Sequence, residues 1–135
     1  FNSATAYYWD KALPILRLHL DPETDKWAMQ RFVGEEIVQT VRPDEVREFA
    51  EEEDRWNIGV ITKSVDTRNG NTVFIVAGTG KNGTRAAVYC LIQSWQEFEK
   101  EFKGQEFGVA IKCIKYPFDP YGYKEFQEIG RWTKC

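Results

Sequence analysis

The stretch Asn57-Ile58-Gly59-Val60-Ile61-Thr62-Lys63-Ser64-Val65 decides the reading of this chain. It is rich in β-branched residues and is followed by Asp66-Thr67-Arg68-Asn69-Gly70-Asn71, which holds Asn-Gly, a strong short hairpin signal. A second apolar run follows from Thr72 to Ala77, so the two form a hairpin. Further on, Arg85-Ala86-Ala87-Val88-Tyr89-Cys90-Leu91-Ile92 and Phe107–Tyr116 have the same look. Read together, these four runs predict one mainly antiparallel sheet, which the rest of the chain must cover. The Gly-rich segment Gly78–Thr84 between the second and third runs then reads as a second hairpin tip.

Working outward, Ser94-Trp95-Gln96-Glu97 has capping-box spacing and predicts a helix inserted before the last of these runs. Trp95, Phe98 and Phe102 would face the sheet, and Gly104 would stop the helix. Upstream, Leu16, Leu18 and Leu20 alternate with Arg17 and His19, a half-buried strand with the polar pair outward. Asp21-Pro22-Glu23 has the form of a helix start, with Trp27, Phe32, Val33 and Ile37 as its buried stripe. Arg42-Pro43-Asp44-Glu45 opens another helix, ending in the acids Glu51 to Asp54. The expected fold is α+β: an antiparallel sheet of four to five strands packed against N-terminal helices and one inserted helix.

At 135 residues the chain is expected to form a single domain, residues 1–135, burying about two thirds of its unfolded surface. Residues 1–13 read as an aromatic N-terminal arm or short helix, and 117–135 as an aromatic tail. The net charge of −3 is uneven. Phe1–Trp56 carries thirteen acids and seven bases, whereas Asn57–Cys135 carries eight acids and eleven bases. That is far from the strongly basic domain of a duplex binder. No run approaches the ~20 apolar residues of a membrane-spanning helix, so an integral membrane protein is not expected. The chain begins at Phe1 rather than Met, which fits a processed precursor, organellar or secreted, or a fragment.

No motif dictates a chemistry. The three cysteines lack zinc-ligand spacing and His19 is the sole histidine, so neither a metal nor a cofactor is expected. Cys90 and Cys113, placed on two strand runs, could face each other. Gly78-Thr79-Gly80-Lys81-Asn82-Gly83-Thr84 lacks the glycine order of a phosphate loop and, on this reading, precedes a strand. Tyr121-Gly122-Tyr123-Lys124 has the spacing of a lysine-assisted tyrosine nucleophile but lacks the paired histidines of that site. Without a catalytic set, the leading expectation is a non-catalytic protein-interaction module, an accessory subunit of a larger assembly. Aromatics make up 15% of the chain and cluster at its ends. Tyr and Trp dominate binding hot spots, so Tyr7, Tyr8, Trp9, Phe118, Tyr121, Tyr123 and Trp132 are the expected partner-binding residues. The alternative is single-stranded nucleic-acid binding, with Phe74, Tyr89 and Tyr116 stacking bases and Lys112 and Lys115 following phosphates.

Overall fold

The computed structural model describes residues 9, 14–23, 26–42, 55–79, 81–115 and 125–134. The strands are β1 (Leu16–Asp21), β2 (Lys26–Val33), β3 (Glu36–Val41), β4 (Arg55–Val65), β5 (Thr72–Gly78), β6 (Phe107–Lys115) and β7 (Phe126–Thr133). The helix α1 (Lys81–Phe102) connects β5 to β6. One sheet is the antiparallel meander β1-β2-β3, and the other has the order β5-β4-β6-β7, with every neighbouring pair antiparallel. The fold is α+β, as the sequence predicts.

The four-stranded sheet is covered on both faces. Ile58, Val60, Ile75, Ala77 and Ala110 pack with Leu16, Leu18, Met29 and Val41 of the meander. Ile61, Val109, Ile111 and Cys113 pack with Ala86, Ala87, Cys90, Phe98 and Phe102 of α1. This is why β4 and β6 read as nearly continuous apolar runs: a strand buried on both faces has no polar side to alternate with. The first hairpin forms as predicted. Gly70 N–H donates to Asp66 O (2.9 Å), Asp66 N–H to Asn71 O (2.8 Å), and Gly70 takes φ +73°. Asp66 is buried, and Arg68 donates to it from Nε and Nη2 as well as from its backbone amide.

The single sheet expected is two, and within the aromatic tail expected over 117–135 the residues Phe126–Thr133 are the strand β7, paired with β6. Two further elements come out differently. Arg85–Ile92 is not a strand but the first half of α1, so the second hairpin does not exist and Ser94 lies mid-helix rather than at a cap. The helix contains Ala86, Ala87, Leu91, Gln93, Gln96 and a run of Glu and Lys, all good helix formers. Its sheet-facing stripe runs through Gly83, Ala86, Ala87 and Cys90, residues too small to register as a hydrophobic period. The helix ends where expected: Lys103 and Gly104 take φ +52° and +78°, and Lys103 N–H donates to Glu99 O (3.0 Å).

The predicted helix over Trp27–Ile37 is instead the β2–β3 hairpin, turning at Gly34 with φ +63°. Val33 and Ile37, assigned to a buried stripe, are exposed. Asp21-Pro22-Glu23 begins a turn, with Asp21 Oδ1 accepting from Glu23 N–H at 2.9 Å. β1 is the predicted strand, with Leu16 and Leu18 buried and His19 exposed, but Leu20 is exposed and Arg17 is half-buried over the Phe32 ring. The helix predicted after Arg42 and the acids Glu51–Asp54 lie outside the described residues.

Candidate functional site

The geometry of α1 follows from how closely its first turns press on the sheet. A Cβ at Gly59 would stand 2.5 Å from Gly83 O and 3.0 Å from Ala87 Cβ; one at Gly78 would stand 2.1 Å from Thr84 N. The contacts with Gly83 O and Thr84 N are with main chain, which cannot move aside. Thr79 locks the corner to β4: its amide donates to Ile58 O (2.9 Å) and its Oγ1 accepts from Ile58 N–H (3.0 Å). The Gly-rich segment that reads as a hairpin tip is therefore a strand-to-helix corner, and its glycines serve close packing.

The C-terminal half of α1 is seated by rings. Phe102 stacks on Phe107 (4.4 Å between centroids), and Phe98 packs against both. Arg131 of β7 fixes one flank. Its Nε donates to Glu128 Oε1 at 2.8 Å, its Nη1 pairs with Glu101 and, at 3.7 Å, with Glu97, and its guanidinium lies over the Phe98 ring. These carboxylates, Glu128 first, hold the guanidinium firmly charged. On the other flank Lys63 Nζ meets Glu99 (3.0 Å) and lies over Phe74 of the edge strand β5.

With its ends seated, α1 is outward over a broad arc; on the β7 side this arc is polar, with Gln93, Gln96, Glu97 and Lys100, and its β5 side is different. The β5 side carries Arg85, Val88, Ile92, Trp95 and Glu99 at spacings of three, four, three and four residues. Val88 is 43% exposed, Ile92 66% and Trp95 52%. Phe74, at the adjoining sheet edge, is 46% exposed. Trp95 is the one ring of the predicted trio Trp95, Phe98 and Phe102 that does not face the sheet. The sequence reading missed this surface because it broke α1 into a strand and a short helix, dividing Val88 and Ile92 from Trp95.

The residues singled out from sequence scatter. Trp9 is 6% exposed, packed within the core between the two sheets, which removes it from an outward-facing set. Trp132 is half-buried beside the same core, lying against Gly130, with Arg31 over its ring at 5.2 Å. Both rings serve the protein's own packing. Tyr7, Tyr8, Phe118, Tyr121 and Tyr123 lie outside the described residues.

The nucleic-acid set is not assembled on one face. Phe74 stands on the helix side of the sheet edge, and Tyr89 is on α1 against Phe126 (6.3 Å) rather than on a strand. Lys112 neighbours Ile111 and Cys113, which face α1, and so takes the opposite face of β6. Tyr116 and the Lys115 side chain lie outside the described residues.

The two thiols do not bridge strands. Cys90 is on α1 and Cys113 on β6, both free and buried in the same cluster. Burial pushes each up from 9.0 to about 11, so both stay protonated and unreactive near neutral pH. Among the described residues no cluster of His, Cys, Asp and Glu could hold a metal ion, and no helix is long and apolar enough to cross a membrane. A cleft of about 510 Å³ lies between the β2–β3 turn and β7, lined in part by Phe32, Glu35, Arg131 and Trp132. The chain matches no protein-family model, no curated protein and no solved structure.

Proposed function

We propose that this chain is a non-catalytic protein-docking module, an accessory subunit whose docking surface is the outer face of α1 with the neighbouring edge of β5. The supporting observation is the row Val88, Ile92 and Trp95, large apolar side chains outward on the β5 side of α1, while the rest of its exposed arc carries the polar residues Gln93, Gln96 and Lys100. Large apolar side chains exposed together in a row, rather than scattered singly, are the pattern of an interaction surface. Trp is the residue type most enriched where binding energy concentrates. This reading puts the docking surface on the middle of the helix; of the predicted chain-end rings, only Trp9 and Trp132 lie among the described residues.

The test compares the wild-type chain with an Ile92→Asp/Trp95→Asp variant as bait in an extract of the native source. A Val33→Asp variant, altered on the exposed meander, serves as the control. The double variant is expected to lose a partner that the wild type and the control both retain. Identical recovery by all three would remove the α1 face as a docking surface.

A further inference from the structure

We infer that the occupant of this face is a second copy of the chain, its α1 antiparallel to the first about a two-fold axis beside Ile92. The inference rests on the docking reading above and names its partner.

Three observations carry it. The outward residues follow the alternating three-and-four spacing of a helix that packs lengthwise on another helix. The row is bounded by opposite charges at equal distance from its centre: Arg85 lies seven residues before Ile92, and Glu99, which also holds Lys63 Nζ of its own chain at 3.0 Å and stays 43% exposed, lies seven residues after it. At 1.5 Å per residue, each charge sits about 10 Å from the midpoint. A two-fold axis through that midpoint brings Arg85 of one copy beside Glu99 of the other, twice. A parallel arrangement would set Arg85 against Arg85 and Glu99 against Glu99. Self-complementarity of one patch is what a closed two-fold dimer requires.

The third observation is the sheet edge on the same flank. β5 (Thr72-Val73-Phe74-Ile75-Val76-Ala77-Gly78) has no Lys, Asp, Glu or Pro. No described strand pairs with its outer side. Such an edge invites association unless something covers it. An axis normal to the sheet, beside β5, sets the two copies of α1 on the same side of the paired sheets. The two edges then adjoin beneath them, and Phe74 of each copy lies beside the helix row.

The experiment is sedimentation velocity on the full chain from micromolar to about 1 mM, the range over which a weak homodimer is expected to populate. The wild type is expected to shift reversibly from the 15.8 kDa monomer to twice that mass. Ile92→Asp is expected to weaken association at least about thirtyfold, as loss of a central contact does. Arg85→Glu and Glu99→Arg, each alone, are expected to weaken it about tenfold. Mixed one to one, the Arg85→Glu and Glu99→Arg chains are expected to form a heterodimer at least as tight as the wild type, because every end pair is then opposite in sign. Circular dichroism and urea midpoints confirm that each variant folds.

A wild type that stays monomeric throughout overturns the inference. So does a dimer that tolerates Ile92→Asp, or a mixture that gains nothing over its components. If the wild type is monomeric but the Ile92→Asp/Trp95→Asp bait still loses a partner, the second copy is excluded and the docking reading stands. If neither assay responds to the α1 face, both fail.

Discussion

The two ends of α1 are seated differently: Phe98 and Phe102 bury large rings under its C-terminal half, whereas its first turns invert the usual arrangement of an amphipathic helix. Its inward face over the first turns carries Gly83, Ala86, Ala87 and Cys90, all buried, while its outward face carries Val88, Ile92 and Trp95. Large apolar side chains normally go inside, because each buried one contributes roughly 1.5–3 kcal/mol. Here the helix backbone sits so close to Gly59 and Gly78 that only small side chains fit beneath it. The lesson is that the sheet sets the size limit on one face, and the outer face keeps large residues that the monomer's own packing does not use.

The contrast can be broken from the inside first. Phe98→Ala removes a ring shared with Phe102 and Phe107 and is expected to cost about 3–5 kcal/mol by urea denaturation. A cost under about 1 kcal/mol would mean that the inner face is looser than described. Gly59→Val forces a side chain onto the Gly83 carbonyl and is expected to cost about 3 kcal/mol, seen as a lower urea midpoint.

The buried thiols give a pH test. Both are raised in the folded chain from 9.0 to about 11, so between those values the unfolded state loses protons that the folded state keeps. The thiols' contribution to stability is therefore expected to be level below pH 9 and to fall as pH rises towards 11, by up to about 2–3 kcal/mol per thiol. A Cys90→Ala/Cys113→Ala chain should lose that slope; if it keeps it, other groups are responsible.

Arg131→Ala frees Glu97, Glu101 and Glu128 from their shared partner at a half-exposed site and is expected to cost about 1 kcal/mol, with the loss shrinking in high salt. At the bottom of the scale stands Trp95→Ala. Half exposed in the monomer, it is expected to change the urea midpoint of dilute protein by no more than about 0.5 kcal/mol. A large loss there would show that Trp95 belongs to the fold rather than to a docking face.

Much of the sheet was legible in local sequence. Asn69-Gly70 marked the β4–β5 turn, and the β-branched runs marked β4, β5 and β6. Gly104 marked the end of α1, and Leu16 and Leu18 marked β1. The failures share a cause. Gly78–Thr84 looks like a turn because glycine signals turns, but these glycines answer to close packing against β4, a contact between distant segments. Trp27, Phe32, Val33 and Ile37 mimic a helical period by chance of spacing, while pairing with β1 makes that segment a hairpin. The docking face was illegible for the same reason, since a residue's exposure depends on what packs beside it.

The amino-acid sequence determined where strands could form, where the chain must turn and which thiols would sit among apolar neighbours, because those follow from propensity and burial of short segments. Only the tertiary structure decided that Gly59, Gly78 and Gly83 meet, that α1 lies against the sheet by its small residues, and that Val88, Ile92 and Trp95 face out together. Those outcomes depend on which surfaces reach each other first and fit without a clash, and side-chain volume across a contact is a property of two segments at once.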